Sequence, residues 1–210
     1  RSVAAPALIT TGWYDQQIGT IKQFTGMVQN GMTEHARHNQ HLIIGPWTHT
    51  TSGLNSRLGE VDFGPEACRD YFQIADFWFG QWLKGQKNEV SDWPPIQLFV
   101  MGANKWRAEQ EWPLARTAYT EFFLHAQGLP NRGRAEGVQS RESPGEEPSD
   151  EYVYDPRDPV MSLYTPGGQH EPQDQRALDG RQDILVYSTP PLEEPLEVTG
   201  PVTVKLWASS

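Results

Sequence analysis

Two residues of complementary chemistry, Asp15 and His49, each follow a short apolar run that breaks at a glycine beside a tryptophan. Asp15 closes Gly12-Trp13-Tyr14-Asp15 after Ala7-Leu8-Ile9-Thr10, and His49 closes Gly45-Pro46-Trp47-Thr48-His49 after His41-Leu42-Ile43-Ile44. A carboxylate beside an imidazole accepts the Nδ1 proton, fixes the tautomer and stabilises the imidazolium that forms when Nε2 takes a proton from a nucleophile. The two are therefore expected to be the acid and base of a catalytic triad. A lone Asp after a strand is more often a turn or helix cap, so the expectation depends on the elements that bring the pair together.

Apolar runs of four or five residues bounded by Pro or Gly read as strands covered on both faces, as in parallel sheets. Between the two runs, Ile18, Ile21, Phe24, Met27 and Val28 recur at helical spacing over 17–30, and Gly31 follows as a stop. The unit reads as β-α-β. Parallel strands deliver the residues past their carboxyl ends to one sheet edge, where open α/β folds place their ligands. Asp15 and His49 share that edge, and their separation of 34 residues suits a single crossover.

The pair is only an activator, and the nucleophile is missing. In the α/β-hydrolase arrangement the order is Ser, then Asp or Glu, then His, with the serine on a Gly-x-Ser-x-Gly elbow. No such elbow occurs, and Ser52 and Ser56 follow His49. The serine and the oxyanion-hole amides are expected upstream of Arg1, so that the chain is the carboxyl-terminal part of something larger and inactive by itself. Its last residues, Val202 to Ser209, alternate like a strand in need of a partner.

A formal net charge of −10 argues against a nucleic-acid surface, which needs clustered Lys and Arg to displace counterions. No run of 18 apolar residues occurs, so no membrane span is expected. Cys68 is the single cysteine, which permits a reducing, cytoplasmic compartment and equally an exported protein without disulfides. His35, His38 and His41 raise a zinc reading, but their spacing spreads them around a helix and no Cys or carboxylate cluster joins them. Asp150, Asp155, Asp158, Asp174 and Asp179 lack calcium-loop spacing and read as turn caps. Neither a metal nor another cofactor is expected.

Further along, Gly64-Pro65-Glu66 reads as a helix start, with Tyr71, Phe72, Ile74, Ala75, Trp78, Trp82 and Leu83 as an apolar stripe ended by Gly85. A strand follows at Ile96 to Val100. From Leu114 onward the pattern changes to short β-prone runs at Tyr119 to Leu124, Tyr152 to Tyr154, Ile184 to Ser188 and Val202 to Trp207. The expected domains are 1–113, α/β, and 114–210, all-β, with Gly128 to Ser149 a solvated loop.

These residues resemble the cocaine esterase-like serine hydrolases, with the related α-amino-acid ester hydrolases and X-prolyl dipeptidyl aminopeptidases. The likeness rests on the order of Gly12-Trp13-Tyr14-Asp15, Gly45-Pro46-Trp47-Thr48-His49, Val100-Met101-Gly102, Trp106-Arg107, Trp112-Pro113-Leu114, Tyr154-Asp155-Pro156, Asp174-Gln175-Arg176, Tyr187-Ser188-Thr189 and Val198-Thr199-Gly200-Pro201. The resemblance implies the carboxyl-terminal portion of an α/β-hydrolase fold followed by an incomplete all-β, jelly-roll-like sandwich. It implies Asp15 as triad acid, His49 as general base, and a substrate pocket near Gln17 and near Leu206 and Trp207. The implied partners are a small-molecule ester or amide and the remainder of the same polypeptide, and a homo-oligomer stays open. Two alternatives remain: an X-prolyl aminopeptidase or α-amino-acid ester hydrolase specificity, and a non-catalytic β-sandwich binding module.

Overall fold

The computed structural model describes residues 3–15, 17–49, 53–126, 137–161, 163, 171–178 and 180–209. Ser52, Asp179 and the first part of the expected 128–149 loop lie outside them. The chain divides into two units, one of Arg1–Ala115 with Tyr164–Gln173, the other of Arg116–Leu163 with Asp174–Ser210.

In the first unit, β1 (Ala7–Tyr14), α1 (Gln17–Asn30) and β2 (Gln40–Thr48) form the expected β-α-β unit, with β1 and β2 parallel. The helix ends where Gly31 donates its N–H back to the Met27 carbonyl. A one-turn helix, α2 (Glu34–His38), intervenes, capped by the Thr33 hydroxyl, which accepts from Ala36 N–H. The sheet continues with β5 (Ile96–Val100), parallel to β2, and closes with β6 (Lys105–Glu109), antiparallel to β5, after the hairpin β3 (Arg57–Leu58) and β4 (Val61–Asp62) and the helix α3 (Tyr71–Lys84).

Both sheet faces are covered, and every residue of β2 is buried. Leu42, Ile44, Ile96 and Leu98 pack on one face with Ile9 and with Phe24 of α1. On the other, Phe99 packs with Leu58, Phe63 and Ala67, and the His41 ring meets Trp78 of α3 edge-on. Burial on two faces explains why β2 reads as a continuous apolar run.

Two expectations for this unit change. The helix starts at Tyr71, not near Pro65: Asp70 caps it by accepting from Gln73 N–H, while Pro65–Ala67 makes only a 3₁₀ turn. Its buried row carries Trp78, with Ile74 and Trp82 half-buried, whereas Phe72 and Leu83 of the expected stripe are exposed because they fall on the opposite side of the helix at 100° per residue.

The second unit holds a three-stranded sheet of β7 (Phe123–His125), β8 (Gly137–Ser140) and β9 (Tyr187–Ser188), antiparallel between β7 and β8 and parallel between β8 and β9. Strand β8 corrects the reading of 128–149 as solvated loop throughout: Gly-Val-Gln-Ser is too polar to announce a strand, yet β7 offers it a ladder. Conversely, the runs at Tyr152 to Tyr154 and Val202 to Trp207 join no strand among the described residues, and Val202, Val204, Leu206 and Trp207 are exposed. Alternation specifies a strand only where a partner completes its hydrogen bonds.

Candidate active site

Asp15 and His49 meet. His49 Nδ1 lies 3.2 Å from Asp15 Oδ2, with the histidine side chain 73% exposed and the aspartate 21%. Because the carboxylate takes Nδ1–H, the open lone pair sits on Nε2, the nitrogen a general base uses.

A register shift brings them opposite each other. Along most of the ladder Ala7 faces Gln40 and Gly12 faces Gly45, an offset of 33; past Gly12 the register slips and Tyr14 faces Thr48, an offset of 34, which is also the separation of Asp15 and His49. The extra residue is on β2, at Pro46-Trp47, where a proline without an N–H is tolerated.

Close backbone approach accompanies the bulge. A Cβ on Gly12 would lie 2.0 Å from the Trp47 carbonyl oxygen, and one on Gly45 would lie 2.2 Å from the Trp47 ring, so both positions require glycine. The Trp47 indole, 2% exposed, folds back over Gly45 and donates Nε1–H to the Ala67 carbonyl at 2.8 Å. Beside it the Trp106 indole, 5.6 Å away between ring centres, donates to the Glu66 carbonyl at 2.6 Å, and the Arg69 guanidinium stands 4.1 Å over the Trp106 ring. Burial holds the Arg69 pKa below its ordinary value, with Glu66 opposing that shift.

The Asp15 side is tied down as well. Trp13 donates Nε1–H to the Phe99 carbonyl at 2.7 Å, reaching across β2 to β5, and Asp15 N–H closes a turn on the Gly12 carbonyl at 3.1 Å. Tyr14 packs on Phe63 at 6.1 Å, and burial raises its phenol pKa.

The other candidates are placed differently. Gln17 opens α1, two residues past Asp15, and is partly buried. Leu206 and Trp207 belong to the second unit and are exposed, with Lys205 Nζ 5.1 Å from the Trp207 ring centre. His41 lies on β2 between Trp78 and Trp93, its Nδ1 donating to the Pro94 carbonyl at 3.1 Å, and burial lowers its pKa. His35 packs on Trp82. Among the described residues no group of three or more His, Cys, Asp or Glu side chains is arranged to hold a metal ion. Asp155, Asp158 and Asp174 bond to arginines, Asp155 and Asp174 also accepting backbone N–H groups in turns, and Asp150 accepts from the Tyr187 hydroxyl. No described helix is long and apolar enough to cross a membrane.

Sequence reasoning missed a second histidine–carboxylate pair, in the other unit. His125 Nδ1 lies 2.8 Å from Glu147 Oε1, and Nε2 lies 3.0 Å from both the Ser140 hydroxyl and the Glu142 carbonyl. No local spacing announces it.

Residues 88–210 match the family described as the X-Pro dipeptidyl-peptidase C-terminal non-catalytic domain. That match begins after both Asp15 and His49. The chain is 38% identical over 216 residues to the cocaine esterase of Rhodococcus sp. (strain MB1 Bresler), covering 99% of this chain and 36% of that protein. Among solved structures it resembles an aminopeptidase from a marine sediment Thaumarchaeota archaeon, at a TM-score of 0.72 and 25% identity over 95% of this chain, and an α-amino acid ester hydrolase, at 0.66 and 25% over 93%. The chain spans about a third of the length of each of these relatives.

Proposed function

The chain belongs to the family of cocaine esterase-like hydrolases that carry the X-Pro dipeptidyl-peptidase C-terminal domain, and on that premise we propose that it forms the carboxyl-terminal part of a serine hydrolase of small esters or amides. The first unit is then the end of an α/β-hydrolase domain and the second the start of a jelly-roll-like sandwich. Asp15 orients, His49 is the base, and the serine is supplied by polypeptide outside this chain, which alone is inactive. Gln17, two residues past Asp15, is a pocket residue in this reading.

One observation carries it: a carboxylate holds Nδ1 of an imidazole at a parallel sheet edge while the ring stays open to solvent. The serine Oγ attacks the ester or amide carbonyl as its proton passes to His49 Nε2. Asp15 stabilises the imidazolium. The proton then goes to the leaving alcohol or amine as the carbonyl–heteroatom bond breaks, and water, deprotonated by the same nitrogen, releases the acid from the acyl-enzyme.

The aminopeptidase likeness and the description of the matched family favour a second specificity, for X-Pro peptides, with the same pair at its centre. Assaying the full-length protein against an aryl ester and an X-Pro anilide separates the two. Ester turnover with an acyl-enzyme burst, abolished by His49→Ala, is the expected result. Unimpaired turnover in a folded His49→Ala variant would overturn both specificities.

A further inference from the structure

We infer that Trp47 is a positioning residue for the acid–base pair: it locks the extra residue of β2 in place and so sets the register at which His49 faces Asp15. The inference rests on the proposed roles of those two residues.

The ladder supplies the first part of the argument. With the offset of 33 that holds from Ala7 to Gly12, Asp15 would face Thr48; the slip to 34 is what sets it against His49. In a strand a shift of one residue turns every following side chain to the other face. The bulge therefore decides whether the imidazole looks toward the carboxylate or away from it. A bulge is also a local weakness, since the extra residue leaves the ladder and must be held by something else.

Trp47 is that something. Its ring lies on Gly45, its backbone carbonyl lies over Gly12 where no Cβ fits, and its indole N–H is anchored to the Ala67 carbonyl in the 3₁₀ turn Pro65–Ala67. The turn is fastened a second time by Trp106, whose N–H takes the adjacent carbonyl of Glu66. The bulged residue is thus held from below by two glycines and from the side by a turn that is itself tied to β6. Trp47 stands two residues from His49 and contacts no reacting atom in this arrangement, so it acts through the geometry of the pair.

The test reads geometry and chemistry separately. In the 210-residue chain, imidazole ¹⁵N shifts report the tautomer of His49 at a pH where the ring is neutral. The Nδ1–H tautomer dominates in the parent and reverts to Nε2–H in Asp15→Asn. If Asp15→Asn leaves the tautomer unchanged, the pair itself fails and the hydrolase reading with it. Given that control, Trp47→Ala shifts the tautomer as Asp15→Asn does, and Trp47→Phe, which keeps a ring over Gly45 but loses the bond to the Ala67 carbonyl, gives a mixture of tautomers between those of the parent and Trp47→Ala. Trp47→Met fills much of the volume without a flat ring or an N–H, and replaces Trp47→Ala where that variant does not fold. In the full-length hydrolase Trp47→Ala lowers kcat on the order of 100-fold with KM little changed, the cost of a misplacement of about 1 Å. A folded Trp47→Ala or Trp47→Met protein with the parental tautomer and kcat overturns the inference and leaves the roles of Asp15 and His49 standing.

Discussion

The two units each contain a histidine held by a carboxylate, and the contrast between the pairs shows what makes such a pair useful. At Asp15 and His49 the contact is 3.2 Å and the imidazole is 73% exposed. At Glu147 and His125 the contact is shorter, 2.8 Å, and the imidazole is 9% exposed. The tighter pair has no nitrogen left for chemistry. Its Nε2 faces the Glu142 carbonyl, which can only accept, so that nitrogen carries a proton; the Ser140 hydroxyl beside it accepts from Glu142 N–H. A serine, a histidine and a glutamate within hydrogen-bond reach thus form a clasp between β7, β8 and the segment that follows. Among the described residues, the looser pair leaves Nε2 open. Availability of the distal nitrogen, more than closeness of the carboxylate, separates a base from a brace.

The largest test of that distinction is Asp15→Asn in the full-length protein, assayed for the proposed ester hydrolysis. If the pair works as proposed, ester turnover should fall on the order of 10⁴-fold, as it does in triads that lose their acid, while the thermal midpoint stays near the parental value. A folded variant with parental turnover would place the first pair in the same structural class as the second.

The reverse pattern is expected for His125→Gln, which should lower the thermal midpoint of the second unit by several degrees and leave ester hydrolysis unchanged. Its pH dependence sharpens the contrast. The hydrogen bond that His125 donates to Glu147 is the chief cause that raises the His125 pKa above 6.5, and Glu142, facing Nε2, adds to it; the same bond holds Glu147 below 4.5. The histidine's contribution is full below pH 6.5 and is lost as pH climbs through its raised value, while the glutamate's is full above pH 4.5 and is lost as pH falls through its lowered value. Thermal melts followed by a probe in the second unit should therefore peak between pH 4.5 and 6.5 and decline on the alkaline side. His125→Gln should flatten that decline, and an unchanged slope would show that the clasp is not the titrating group.

Ser140→Ala gives the smallest effect. It removes one acceptor of Nε2 and the acceptor of Glu142 N–H, but the Glu142 carbonyl still takes the imidazole proton, so about 1 kcal/mol or less is expected by denaturant unfolding. A much larger loss would mean that the hydroxyl, not the carbonyl, anchors the ring.

How far such features are legible depends on the range over which they are specified. Helix α1 is legible because Ile21, Phe24 and Met27 repeat at its own period and Gly31 stops it; β1 and β2 are legible because burial on both faces demands unbroken apolar residues. The start of α3 is misread because Pro65 suits a first helical turn, while Asp70 caps the real one. Strand β8 and the idle runs at 152–154 and 202–207 are misread in opposite directions, since ladder partners are chosen in three dimensions. His125 and Glu147 are 22 residues apart with a strand between them, and nothing local links them.

By itself the amino-acid sequence determined that an aspartate and a histidine end two neighbouring parallel strands, since periodicity and chain direction are local properties. Only the tertiary structure decided that the two touch. That depends on one extra residue in β2, accommodated because Gly12 and Gly45 leave room for Trp47 and because the Ala67 carbonyl holds its indole, and those contacts join segments that no local pattern connects.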